Sequence, residues 1–196
     1  NGPAAASALR LLRVGHSEED KGQLDWALRI RHWLNDTLKD KDGLYWDNIN
    51  LQGEIEKTKW TYNTALMIRT DLLLYQTTSV KQYLTEARRM ADASIAAWVN
   101  PETGAMQNSP RFTHLLSEAL LHVYDVTGDP KYLNVVRRYA DYAYARGRDP
   151  QGGFRDDWNR EPGPKNRRLL IENASMARLY WKLSEYPDAA ELVAQA

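Results

Sequence analysis

Hydrophobic positions recur at helical spacing along most of the chain. Apolar side chains that lie three or four residues apart form one face of an α-helix. This spacing predicts helices over residues 3–13, 18–40, 60–77, 80–98, 111–127, 130–146 and 166–185, with a short one near 188–195. Proline is sparse inside these segments, and no stretch alternates with period two for long enough to indicate a strand. The pattern therefore predicts an all-α fold.

The helices also repeat along the sequence. A shift of 49 residues brings similar positions together, namely Leu72 with Leu121, Tyr75 with Tyr124, Tyr83 with Tyr132, Ala91 with Ala140, and Gly104 with Gly153. Each unit consists of a helix, a tight turn, a second helix and a longer loop that contains glycine. We therefore expect residues 1–196 to form a single domain of helical hairpins.

Such hairpins can stack as an open solenoid or close into a ring. Solenoid repeats are commonly about 33–47 residues long, whereas these hairpins take roughly 50–60. Long loops on only one side favour a closed toroid of six hairpins, whose functional loops gather at one mouth. Six hairpins of this length need far more than 196 residues. The chain is therefore predicted to form about half of an (α/α)6 toroid.

Composition narrows the range of functions. The 26 basic residues balance the 26 acidic ones, which argues against nucleic acid as the main partner. No apolar run has the length of a membrane span, and the absence of cysteine excludes disulfides and thiolate chemistry. The chain holds 11 Tyr and 7 Trp but only 2 Phe, and aromatic rings with a polar atom suit half-wet surfaces such as sugar-binding clefts. Packing between helices explains this excess equally well.

The first long loop and the following helix start hold the best candidate for a binding site. Trp46, Asp47, Trp60, Tyr62 and Asn63 lie within about twenty residues of one another. Aromatic faces stack on the apolar face of a pyranose ring, and carboxylate and amide groups hydrogen-bond its hydroxyls. In the alternative interpretation, Trp60 only fastens the helix start, while Tyr45 and Trp46 cover the end of the barrel.

Two other groups of residues suggest weaker candidates. The adjacent Asp156 and Asp157 resemble an acid–base pair, but adjacent loop residues often point apart, and surface ion pairing is the favoured interpretation. His114, Glu118 and His122 form a row on one helix face, although a zinc site normally needs a distinct further ligand. We favour a packing role for this row and expect neither a metal nor a cofactor.

The sequence resembles a known family over most of its length. The segment from Gly43 to Ile49, with the sequence Gly-Leu-Tyr-Trp-Asp-Asn-Ile, and the segment Trp60-Thr-Tyr-Asn63 are similar to the second half of glycoside hydrolase family 76. The resemblance runs from about Trp26 to Tyr180. It implies an (α/α)6 toroid, α-1,6-mannanase-like activity, and endo-acting hydrolysis of α-mannosidic bonds with retention.

The resemblance also implies roles for particular residues. Trp60, Tyr62 and Asn63 match the segment that lines the family's cleft, and Trp46 and Asp47 match it less closely. The family's catalytic pair, two consecutive aspartates, belongs to the first half of the ring and therefore lies outside this chain. Asp156 and Asp157 lie too close to the C-terminus to match it, so the catalytic residues stay unassigned.

Two hypotheses follow from the sequence. In the first, the chain supplies part of the sugar-binding cleft of a glycoside hydrolase, with an oligosaccharide or polysaccharide as substrate. Its other partner is then a missing N-terminal half or a second copy of the chain. In the second, it is a non-catalytic helical scaffold or glycan-binding module. We expect a secreted, periplasmic or cell-surface location. Residues 1–15 carry no signal peptide pattern, so a cytoplasmic location stays open.

Overall fold

The computed structural model describes residues 1–15, 21–156 and 169–187. Within these ranges the α-helices are α1 Gly2–Val14, α2 Lys21–Thr37, α3 Thr61–Thr78, α4 Lys81–Trp98, α5 Pro110–Thr127, α6 Pro130–Tyr142 and α7 Leu170–Leu183. The prediction of an all-α fold built from helical hairpins is confirmed. The short helix predicted near residues 188–195 lies outside the described residues.

Two local features differ from the helical pattern. A small antiparallel hairpin pairs β1 Asn48–Ile49 with β2 Ile55–Glu56 inside the first long loop. The Asn50 side chain closes its turn by accepting two backbone N–H groups, and two-residue strands are too short to produce an alternating pattern. In addition, α6 continues into a π-helical turn over Ala143–Gly147.

The helices form two layers. Helices α1, α3, α5 and α7 lie side by side in one layer, and each of α2, α4 and α6 packs against the helix that precedes it in the chain. Helix α3 is buried on nearly all sides, since the five consecutive residues 70–74, which span more than one full turn, all lie in the interior. Helices α4 and α6 bury only one face. We therefore call α1, α3, α5 and α7 the inner helices and the others the outer helices.

The repeat in the sequence corresponds to equivalent turns in the structure. The turn between α3 and α4 has Ser79 at a φ of 61°, and the turn between α5 and α6 has Gly128 at 68°. Both residues end their helix in the left-handed conformation, which glycine adopts without steric cost. Gly104 is required for another reason, because a Cβ there would meet the Arg138 Cβ at 2.9 Å.

Buried ion pairs tie the layers and the inner helices together. Arg31 on α2 makes a two-pronged pair with Asp71 on α3, with nitrogen–oxygen distances of 2.5 and 2.9 Å. Glu118 on α5 is buried between Arg69 of α3 and Arg178 of α7. Each pair has its partners on different helices, so these contacts fix how the helices are arranged.

The first hairpin, α1 and α2, and the last inner helix, α7, expose apolar surface at the two ends of the molecule. Among the described residues, seven of the ten strongly exposed large apolar side chains lie on the end helices, namely Leu11 and Val14 on α1, Trp26 and Trp33 on α2, and Leu170, Ile171 and Trp181 on α7. Central hairpins bury the corresponding faces against neighbours. Among the described residues, no helix is both long and apolar enough to cross a membrane.

Candidate functional site

The long loops all precede inner helices, so they gather at one end of the layer. A single β-bridge closes each loop at an equivalent place, between Lys39 and Tyr45 in the first, Val99 and Met106 in the second, and Arg148 and Phe154 in the third. These loops lead into α3, α5 and α7, where helix starts leave backbone N–H groups without partners inside the helix. This end of the molecule therefore concentrates polar groups that can bind a ligand.

A cavity of about 360 Å³ opens at this end, between the first loop and the starts of α1 and α3. Four of the five predicted site residues line it, namely Trp46, Asp47, Tyr62 and Asn63. We call this space, with those four residues in its wall, the loop cavity. Folding thus brings together two pairs of residues that lie on different elements, the first loop and the first turn of α3.

Asp47 is the hydrogen-bonding centre of the loop cavity. One carboxylate oxygen accepts from the Tyr62 hydroxyl at 2.9 Å and from the Asn63 side-chain amide at 3.0 Å. The other oxygen accepts from the Asn48 side chain at 3.0 Å. Burial raises the pKa of Asp47, but the hydrogen bonds from Asn63, Tyr62 and Asn48 outweigh it and hold the pKa below its usual value. The carboxylate therefore stays ionised and orients both of its neighbours on α3.

Trp60, the fifth predicted residue, lies beside the loop cavity and does not line it. Its ring packs against Phe112 of α5, with 5.2 Å between the ring centroids. Phe112 also contacts Tyr62, at 5.1 Å. Trp60 is therefore joined to the cavity wall through a shared aromatic neighbour, and both interpretations of it, as a packing residue and as a binding residue, are consistent with its half-buried position.

The structure adds cavity residues that the sequence analysis missed. Trp33 of α2 and Asn1, which directly precedes α1, both lie in the wall of the loop cavity. Nothing in the local pattern marks them, because Trp33 sits within a regular helix and Asn1 is far from Tyr62 in sequence. Trp33 adds a second indole to the cavity wall, which therefore combines aromatic side chains with a carboxylate and amides.

The two weaker candidates are found elsewhere. Asp156 is partly buried in the third loop, while Asp157 lies outside the described residues. In the row of His114, Glu118 and His122, the Glu118 carboxylate forms ion pairs with two arginines. A ring nitrogen of His114 contacts the Pro110 carbonyl oxygen. Among the described residues, no group of three or more potential metal ligands comes together.

His122, the last residue of that row, occupies a strongly basic environment. Burial, together with the nearby charges of Arg69, Arg10 and Arg13, lowers its pKa to about 4. The ring is therefore neutral at physiological pH. This environment lies on the inner helices and is separate from the loop cavity.

Comparisons with known proteins agree with this architecture. The family profile named Glycosyl hydrolase family 76 matches residues 1–120. A solved family 76 α-mannanase from Bacteroides thetaiotaomicron is 26% identical, with a TM-score of 0.81 over 92% of this chain and 52% of that chain. An α-1,6-mannanase from a Salegentibacter species is 28% identical, with a TM-score of 0.77 over 93% of this chain and 58% of that chain.

The Salegentibacter enzyme has also been solved as an inactive variant, with two consecutive aspartates replaced, in complex with α-1,6-mannotriose. No curated protein matches this chain. The chain spans little more than half the length of these two solved enzymes, in keeping with the predicted half of a toroid. Since the family profile covers more than half of the 196 residues and the fold is that of the solved mannanases, the chain belongs to glycosyl hydrolase family 76.

Proposed function

We propose that this chain forms part of the substrate-binding cleft of a glycoside hydrolase that cleaves an α-1,6-mannan-type polysaccharide internally and with retention. The observation that carries the proposal is the loop cavity, where Asp47, Tyr62 and Asn63 form one hydrogen-bonded group beside Trp46. We also propose that the described helices belong to one domain, and that the protein acts outside the cell or at its surface, where such polysaccharides are met.

The chemistry of the loop cavity suits a sugar ring. A pyranose presents an apolar face, which an indole covers, and a rim of hydroxyls, which need both donors and acceptors. Trp46 supplies the face, while Asp47 and Asn63 supply acceptors and an amide donor. The mannotriose complex of the Salegentibacter enzyme supports a mannose oligomer as the ligand to test first.

Catalysis needs residues that the loop cavity does not contain. Retaining hydrolysis uses two carboxyl groups about 5–5.5 Å apart, one as nucleophile and one as acid. Among the described residues, Asp47 is the sole carboxylate in the cavity wall, and three side chains already hydrogen-bond it. We therefore propose that the catalytic pair is supplied by the remaining part of the ring.

The exposed end helices indicate how that part is joined. Soluble monomers rarely expose large contiguous apolar patches. Both ends of the inner row nevertheless carry exposed large apolar side chains. We propose that the remaining hairpins of a longer ring cover α1, α2 and α7. A second copy of the chain covers the same faces when the chain is produced alone.

The purified 196-residue chain is therefore expected to self-associate and to leave α-1,6-mannan intact. Sedimentation over a range of concentrations, together with a reducing-sugar assay, tests both points. Trp181→Glu, which places a charge on the exposed face of α7, should shift the chain towards monomer. Val80→Glu, at an exposed site in the turn between α3 and α4, should not. A chain that stays monomeric at high concentration, or one that hydrolyses mannan, would contradict the proposal.

Replacing Trp60 with alanine tests the binding role of the helix start. If Trp60 contacts sugar, the variant should bind α-1,6-mannotriose about 30-fold more weakly, since losing a central aromatic contact costs about 2 kcal/mol. Calorimetry measures this change, and urea unfolding measures stability. Trp26→Ala, an exposed indole on α2, serves as the control and should leave affinity unchanged. A stability loss of about 3–5 kcal/mol with unchanged affinity would assign Trp60 to packing alone.

A further inference from the structure

The inner helix α3 starts without a cap of its own. Its N-cap residue is Trp60, whose side chain makes no capping hydrogen bond. The first N–H groups of a helix have no partner within the helix, so they need an acceptor from elsewhere. The Thr61 N–H finds it in the side-chain oxygen of Asn108, at 3.0 Å. Asn108 lies in the loop before α5, a full hairpin further along the chain.

The loop that carries Asn108 is itself anchored to the next inner helix. Glu172, fully buried on α7, accepts from the Ser109 hydroxyl at 2.6 Å and from the Arg111 N–H at 2.8 Å. The start of α5 is thus capped from α7, as the start of α3 is capped from the loop before α5. Asn108 has a φ of 76°, a left-handed conformation that asparagine tolerates better than most residues.

This arrangement bears directly on the loop cavity. Thr61 is followed by Tyr62 and Asn63, and these two side chains donate to the same Asp47 oxygen. The first turn of α5 adds Phe112, whose ring contacts Tyr62. The direction in which α3 begins therefore decides whether both donors reach Asp47, and the Asn108 cap is a hydrogen bond from another hairpin that sets this direction.

We infer that Asn108 is a positioning residue for the loop cavity: its side chain caps α3 from the neighbouring hairpin and so holds Tyr62 and Asn63 against Asp47. The sugar-binding part of this inference rests on the proposed function, whereas the link between Asn108 and the Asp47 hydrogen bonds does not. Asn108 itself need not touch the sugar, because it acts through the helix start.

Two substitutions of Asn108 distinguish the effect of losing the capping hydrogen bond from the effect of backbone strain. Asn108→Gly keeps the positive φ at no steric cost but removes the acceptor, and Asn108→Asp keeps an acceptor oxygen. The control is Asp129→Ala, which removes the side-chain cap of the outer helix α6, where Asp129 accepts the Lys131 N–H at 3.1 Å. This control should lower the free energy of unfolding by about as much as Asn108→Gly does, at a place remote from the loop cavity.

The titration of the Asp47 carboxyl, followed by NMR, is the first measurement. Asn108→Gly should move the pKa of Asp47 up from its lowered value, because misplaced Tyr62 and Asn63 no longer stabilise the charge. It should also weaken α-1,6-mannotriose binding about fivefold, the size of one lost cap. Asp129→Ala should preserve both values. Asn108→Asp should preserve the mannotriose affinity, while its added negative charge can by itself raise the pKa of Asp47.

The outcomes are distinct. An unchanged Asp47 titration in Asn108→Gly, or an equal shift in Asp129→Ala, would overturn the positioning role. If the unaltered chain binds no mannotriose, the proposed function fails, and the Asp47 titration still decides whether Asn108 positions the cavity residues.

Discussion

Replacing Asp47 with alanine is expected to weaken binding of α-1,6-mannotriose by at least about 100-fold, since hydrogen bonds to a charged group contribute about 1.5–3 kcal/mol each. Asp47 offers its charge to the cavity and at the same time orients Tyr62 and Asn63. Its loss removes one binding group and releases two others. Isothermal calorimetry on the folded variant measures the change, and circular dichroism verifies the fold.

A matched control is available on the outer helices. Asp92 of α4 accepts from the Tyr132 hydroxyl at 2.9 Å, which reproduces the Asp–Tyr contact away from the cavity. Asp92→Ala should leave mannotriose affinity unchanged at a similar cost in stability. Asp47→Asn keeps the shape of the side chain but loses its charge. Its mannotriose affinity should lie between those of Asp47→Ala and Asp92→Ala. Equal losses of affinity in Asp47→Ala and Asp92→Ala would show that the effect is not specific to the cavity.

Replacing Asp71 with alanine should reduce the free energy of unfolding by about 3–5 kcal/mol, the usual cost of leaving one member of a buried ion pair alone. Asp71 is almost completely buried, and its partner Arg31 is largely so. Burial raises the pKa of Asp71, against the opposing hydrogen bonds and charge of Arg31. Urea unfolding followed by tryptophan fluorescence measures the loss.

The chain also offers a control for this prediction. Asp25 and Arg29 on α2 form the same kind of pair, but both side chains are about two-thirds exposed, at 68% and 65%. Asp25→Ala should therefore cost only about 0.5 kcal/mol. The double variant Arg31→Met with Asp71→Leu should recover much of the lost stability, because it leaves no unpaired charge. A loss below about 1 kcal/mol for Asp71→Ala would mean that the pair does not hold α2 against α3.

Much of the architecture is determined locally and was therefore predictable. The apolar spacing within 60–77 predicts a helix, and α3 runs over Thr61–Thr78. The repeat aligns Ser79 with Gly128, and both prove to be left-handed helix ends. Local sequence order also concentrates the candidate residues, since Tyr62 and Asn63 lie less than twenty residues after Asp47. The prediction of sugar binding on these residues stays a prediction until a ligand is measured.

What only the tertiary structure decided is which distant residues meet. Trp33 and Asn1 reach the loop cavity through the packing of α1 and α2, and Asn108 reaches Thr61 across a hairpin. Periodicity depends on hydrogen bonds and side-chain spacing within a few residues, so the sequence alone determined the helices, their repeat and the short separation along the chain between Asp47 and its neighbours on α3. Contacts between hairpins depend on how whole helices pack and on which polar groups remain without a partner, and these appear only once the chain is folded.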